Sequence, residues 1–194
     1  MKRLCVFCGS SEGARPAYAA AARALGVELV KRGLGLVYGG GSVGLMGVLA
    51  DAVLGGGGEV IGVIPGPLAT PELAHTGLDE LRVVGSMHER KATMAALADG
   101  FVALPGGLGT FEETLEVLTW AQLGIHTKPV GVLDVEGYWE GLRRLLAHAV
   151  DERFVRPEYA ALLLWGATPG ELLDRLAAWR PPTGARAWLR PEQT

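Results

Sequence analysis

Two short segments hold the residues best suited to chemistry: Met87-His88-Glu89-Arg90-Lys91 and Pro105-Gly106-Gly107-Leu108-Gly109-Thr110-Phe111-Glu112-Glu113. The second follows the apolar run Phe101-Val102-Ala103-Leu104 and precedes a helical pattern, so it reads as a glycine loop between a strand and a helix. Such a loop offers backbone N–H groups and a helix N-terminus to an anion, most often a phosphate. Gly106, Gly107 and Gly109 remove side chains where backbone must approach a ligand, and Thr110 can cap the helix and donate its hydroxyl. Arg90 and Lys91 fall on the first turns of another helix, where the macrodipole disfavours cations. Two cations there ask for a compensating anion, which a bound phosphate would supply. A phosphate cradle, an arginine and a glutamate in one site point to chemistry on a nucleotide. Thr110-Phe111-Glu112-Glu113 also fits a capping box, with Glu113 folding back on the Thr110 N–H, so Glu113 has a structural reading beside the chemical one.

Two other strand ends are glycine-rich. Gly9-Ser10-Ser11 follows one apolar run, and Gly39-Gly40-Gly41-Ser42-Val43-Gly44 follows another. The latter only loosely echoes a dinucleotide fingerprint. The next strand ends in Pro65 instead of an acidic residue, and no Gly-Lys-Ser/Thr completes a phosphate loop of the Walker type. Tight helix–strand packing is the alternative reading of this loop.

These loops need a frame. Apolar runs predict strands at 4–8, 34–38, 60–64, 81–84, 101–104, 130–133 and 162–165, and helical patterns fill 16–32, 45–54, 87–98, 110–123, 138–150 and 169–179. The alternation implies βαβ units, hence an α/β fold with a mainly parallel sheet, helices on both faces and right-handed crossovers. Ligands in such sheets bind beyond the carboxyl ends of the strands, so the three glycine-rich ends can line one crevice. Residues 1–180 are expected to form one domain, and 181–194 a loosely held C-terminal arm.

Composition bounds the rest. The chain has 194 residues, 49% hydrophobic and 20% charged, with a net charge of −3, so neither a nucleic acid nor a membrane surface is an expected partner. No apolar run reaches the ~18 residues of a spanning helix, and the N-terminal apolar stretch is too short for a signal peptide, which predicts a cytoplasmic protein. Cys5 and Cys8 have redox-like spacing, but on a strand they point to opposite faces, so two buried structural thiols are expected. His75, His88, His126 and His148 show no ligand spacing, and no metal is predicted.

The joint pattern Met-His-x-Arg-Lys followed by Pro-Gly-Gly-x-Gly-Thr-x-x-Glu resembles the LOG ("lonely guy") family of cytokinin riboside 5′-monophosphate phosphoribohydrolases, often labelled lysine decarboxylase-like. The resemblance extends to Phe7-Cys8-Gly9-Ser10-Ser11, Val37-Tyr38-Gly39-Gly40-Gly41, Gly44-Leu45-Met46-Gly47, Pro71-Glu72-Leu73 and Thr119-Trp120-Ala121-Gln122-Leu123-Gly124. It implies a Rossmann-like fold, a homodimer and hydrolysis of the N-glycosidic bond of an adenine-type nucleotide to free base and ribose 5-phosphate. It places Arg90 and Glu113 in the catalytic positions and Gly107, Leu108, Gly109 and Thr110 around the phosphate, with Gly106, Gly9, Ser10, Gly40 and Gly41 in the binding loops. Glu72, Lys91 and Thr119 take substrate-contact positions. Thr119 lies about 120° around its helix from Glu113, so within one subunit the two cannot face one pocket. No cofactor is expected. Pyridoxal chemistry needs a Schiff-base lysine, and of Lys2, Lys31, Lys91 and Lys128 only Lys91 lies near a candidate site, beside an arginine and without cofactor context. A non-enzymatic nucleotide or phosphorylated-cofactor carrier on the same fold is the competing reading. The Arg90/Glu113 pair discriminates, since a carrier does not need it.

Overall fold

The computed structural model describes residues 1–181. Seven strands form one parallel sheet: β1 (Arg3–Phe7), β2 (Gly35–Tyr38), β3 (Val60–Pro65), β4 (Glu80–Val84), β5 (Phe101–Ala103), β6 (Val130–Leu133) and β7 (Leu163–Gly166). Their spatial order is β4-β3-β2-β1-β5-β6-β7, so β1 lies at the centre and the sheet grows outward from it in both directions. Central strands are apolar throughout because helices cover both faces; every residue of β3 is buried. Edge strand β4 carries exposed Val83 and part-exposed Leu81.

The helices are α1 (Pro16–Lys31), α2 (Gly44–Gly55), α3 (Met87–Leu97), α4 (Leu108–Leu123), α5 (Glu140–Asp151), the single turn α6 (Pro157–Ala160) and α7 (Pro169–Ala178). One core layer gathers Leu4, Val6 and Cys8 with Leu25 and Leu29 of α1, Leu49 and Val53 of α2, and Leu172 and Leu176 of α7. The opposite layer gathers Cys5 and Phe7 with Met94 of α3, Val117 and Leu118 of α4, and Trp139. Alternation along β1 thus sends the two cysteines to opposite faces, both buried and free, as the strand reading requires. No helix among the described residues is long and apolar enough to cross a membrane. Apart from Pro181, the arm expected over 181–194 lies outside the described residues.

Two local expectations are corrected. Helix α4 begins at Leu108, two residues before the expected start, with Gly107 in the N-cap position. Thr110 is therefore already inside the first turn and is buried, so it cannot be the cap, and Glu113 closes no capping box. A close variant of the capping box forms at α3 instead, where Ser86 Oγ accepts from the Glu89 N–H at 3.1 Å and Glu89 accepts from the N–H of Gly85, one residue before the cap, at 2.7 Å.

Candidate active site

The carboxyl ends of β1, β2 and β5 open onto a cavity of about 410 Å³. Cys8, Gly9 and Ser10 line it from β1, Gly39 and Gly41 from β2, and Gly107 to Thr110 from the loop after β5. Arg90 enters from α3, and Glu112 and Glu113 from α4. Three segments far apart in the chain meet here because β1 sits between β2 and β5.

One end of the cavity is an anion cradle. The first intrahelical bond of α4 runs from the Phe111 N–H to the Gly107 carbonyl, at 3.0 Å. The N–H groups of Leu108, Gly109 and Thr110 precede it and have no helical acceptor, so they and the helix dipole point at an incoming anion. Gly106 is held from behind, its carbonyl accepting from the Tyr138 hydroxyl. A Cβ on Gly106 would collide with the Thr110 side chain and crowd the Gly9 backbone, so glycine here is a packing requirement of the loop.

The other end holds the charges. Arg90 Nη2 lies 3.6 Å from Glu113 Oε1, with side chains 14% and 11% exposed. Arg90 Nε is buried and has no hydrogen-bond partner among the described residues. Burial raises the Glu113 pKa to about 7, against the opposing pull of Arg90; Glu112 adds to the rise, Lys91 opposes it, and Glu116 adds again. Glu113 therefore exchanges its proton near neutrality, as a group that orients or deprotonates water should. Gly39 makes room for the arginine, because a Cβ there would collide with Arg90 Nη2. Burial also pushes the Cys8 thiol far up, which keeps it neutral at the floor of the cavity.

The third wall is apolar. Met46, Ile64, Leu68, Leu73 and Met87 line it. Leu73 belongs to a segment fastened across the glycine loop: Gly41 bridges Ala74, the Ser42 N–H donates to the Leu73 carbonyl at 2.8 Å, and the His75 N–H donates to the Gly40 carbonyl at 2.9 Å. The sequence reading singled out only Glu72 from this segment. Its side chain is exposed and absent from the cavity lining, whereas its neighbour Leu73 faces inward. Leu68 and Leu73, two of the three leucines in the proline-containing stretch before Asp79, were the available signal. Cys8, Met46 and Tyr138 were likewise missed; Gly39 was placed at the crevice with its loop but not singled out as a site residue.

Among the expected site residues, Arg90, Glu113, Gly9, Ser10, Gly41, Gly107, Leu108, Gly109 and Thr110 line the cavity. Gly106 lies behind the cradle, against a smaller neighbouring cavity that Gly9, Ser10 and Gly107 share. Gly40 is off the lining, its carbonyl taken by His75. Thr119 stays away from the cavity: it is exposed, and its hydroxyl donates to the Leu115 carbonyl at 2.7 Å. Lys91 is turned away too, 2.6 Å from Glu112 and 2.9 Å from Glu116. The anion expected for that cation is therefore this carboxylate pair. Among the described residues no group of three or more His, Cys, Asp or Glu is placed to hold a metal ion.

A Rossmann-like α/β fold with a glycine cradle and an Arg–Glu pair at one crevice defines a class of nucleotide-type sites, and comparisons narrow it. A family model described as "Possible lysine decarboxylase" matches residues 46–176. A probable cytokinin riboside 5′-monophosphate phosphoribohydrolase of Oryza sativa subsp. japonica, LOGL5, is 54% identical over 181 residues, 93% of this chain and 74% of that protein. The cytokinin riboside 5′-monophosphate phosphoribohydrolase LOG7 of Arabidopsis thaliana is 52% identical over 180 residues, 93% of this chain and 83% of that protein. The chain belongs to this LOG family of cytokinin riboside 5′-monophosphate phosphoribohydrolases. Solved structures share the fold: a molybdenum cofactor binding protein from Rippkaea orientalis (TM-score 0.68, 21% identity, 92% of this chain and 97% of that one) and the molybdenum cofactor carrier protein of Chlamydomonas reinhardtii (0.67, 22%, 92% and 99%).

Proposed function

We propose that this protein hydrolyses the N-glycosidic bond of adenine-type nucleoside 5′-monophosphates, AMP or an N6-substituted AMP, to free base and ribose 5-phosphate. The observation that carries the reading is the buried Glu113 carboxylate beside Arg90, in the same cavity as the amide cradle of α4. The 5′-phosphate sits on the N–H groups of Leu108, Gly109 and Thr110. The ribose then lies toward Glu113 and Arg90, and the base toward the apolar wall of Met46, Ile64, Leu68 and Leu73. Cleavage of the C1′–N bond builds positive charge on the sugar, which the Glu113 carboxylate stabilises. Glu113 orients the attacking water and takes its proton; the hydroxyl adds to C1′ and the departing base takes up a proton. Arg90, 3.6 Å away, opposes the effect of burial on Glu113 and so favours its ionised form. Among the described residues no lysine lines the cavity, which speaks against the decarboxylase label.

The protein is further proposed to work as a homodimer. Helix α4 presses Thr114, Val117 and Leu118 inward, yet leaves Phe111 and Leu115 36% and 40% exposed. Leu118 shares helical spacing with Phe111 and Leu115 but is buried. An outward apolar face next to the site suits a second copy, which is the setting in which Thr119 reaches substrate.

The test is incubation of the purified protein with a panel of nucleoside monophosphates and chromatography of the released base. Base release from AMP or an N6-substituted AMP, without added metal or organic cofactor, is the expected result. Tight binding with no base release from any purine monophosphate would favour the carrier reading.

A further inference from the structure

Lys91 follows Arg90 on α3 but faces another partner. Its ammonium bridges Glu112 Oε1 and Glu116 Oε1, one helical turn apart on α4, and its side chain is only 11% exposed. Two carboxylates at that spacing repel each other, and the second oxygen of Glu116 is buried with no partner among the described residues. Between them in sequence stands Glu113. The groups acting on Glu113 are Arg90 and Lys91 from α3, Glu112 and Glu116 on α4 itself, and the neutral thiols of Cys5 and Cys8 from the β1 side. Burial works against the Lys91 charge, but its bonds to Glu112 and Glu116 outweigh burial and hold the ammonium above its ordinary pKa.

We infer that Lys91 is a positioning residue that neutralises Glu112 and Glu116, thereby favouring the working ionised form of Glu113. The inference rests on the reading of Glu113 as the working carboxylate. Without Lys91, two unpaired carboxylates stand beside a buried third. Like charges disfavour ionisation, so Glu113 would hold its proton to higher pH. An arginine can span the same pair and should replace the lysine; a neutral chain cannot.

The experiment titrates Glu113 directly in the ligand-free protein by carboxyl ¹³C NMR, assigned by difference from Glu113→Gln, and records kcat/KM for AMP against pH. In Lys91→Met both the Glu113 midpoint and the acid limb of the rate profile should rise by about half a unit or more. Lys91→Arg should restore both. Adding Glu112→Gln and Glu116→Gln to Lys91→Met should bring the midpoint back toward the parent value. The same two glutamines with Lys91 retained should lower it, which supplies a test even where Lys91→Met does not fold. An unmoved midpoint in any of these variants overturns the inference. So does a raised KM for AMP with the acid limb in place, the mark of a direct phosphate contact. If the parent protein releases no base at all, the proposed function fails, while the NMR titration still decides the role of Lys91.

Discussion

Replacing Glu113 with glutamine separates a catalytic carboxylate from a structural one, and burial sets the size of the effect. The folded protein raises this group from an ordinary 4.5 to about 7, chiefly by burial. Because the folded-state value lies above the unfolded one, protonation of Glu113 stabilises the fold fully below pH 4.5, and that contribution is lost as pH rises through 7. A displacement of that size corresponds to about 3 kcal/mol of stability forfeited above pH 7 when the side chain ionises in place. Glutamine keeps the shape and never ionises. Glu113→Gln should therefore melt higher than the parent at pH 8, by up to about 10 °C for a chain of this length, with the gap closing toward pH 5. Turnover should fall at least about a hundredfold while nucleotide binding persists, since the lost group acts on charge that develops only in the transition state. The parent's kcat/KM should climb with pH through about 7. Melting curves at pH 5 and pH 8, with base release measured on the same samples, decide the matter. Retained turnover, or a melting difference that is the same at both pH values, would refute the reasoning.

Other perturbations have equally definite outcomes. Adenosine should be at least about a hundredfold poorer than AMP in kcat/KM, because binding energy at the α4 cradle positions the remote glycosidic bond; parity would show that the cradle does not hold the 5′-phosphate. Gly39→Ala should push the Arg90 guanidinium off its seat, reducing turnover at least about tenfold while moving the melting temperature by only a few degrees, since the colliding atom is the far end of a flexible side chain. Unchanged turnover would remove Arg90 placement from the reading. Light scattering at micromolar concentration should give about twice the 20.4 kDa chain mass; a stable, active monomer would leave Thr119 without a role.

The strands were legible because a central parallel strand is apolar on both faces and glycines mark its end; β3 is buried from Val60 to Pro65. The start of α4 was not, because Leu108-Gly109 has the composition of a loop: Leu108 is 84% exposed and Gly109 a poor helix former. That two-residue difference decides the role of Glu113, since it removes Thr110 from the cap. Arg90 and Glu113 could be paired from sequence because their helices start at the same edge of the sheet. The partners of Lys91 could not, because they depend on how α3 is rotated against α4, and no single-chain periodicity records that. Thr119 was correctly separated from Glu113 by helical spacing alone. The placement of Leu73 on the cavity wall was invisible for another reason: it is imposed by backbone bonds to the Gly40–Ser42 loop, which any side chains could make.

The central position of β1 also has a consequence for biosynthesis. Strand β1 finds β2 after a single helical crossover, but its other edge must wait for Phe101–Ala103. Until those residues have been made, the nascent chain displays an unpaired strand edge, apolar from Leu4 to Phe7, the kind of template on which stray chains aggregate. The same wait governs when the enzyme comes into being. Gly9, Gly39, Arg90 and Glu113 become neighbours only when β5 docks and α4 follows it, so no truncated product ending before that helix can possess a partial activity, and quality control of synthesis reduces to whether one strand reached its slot.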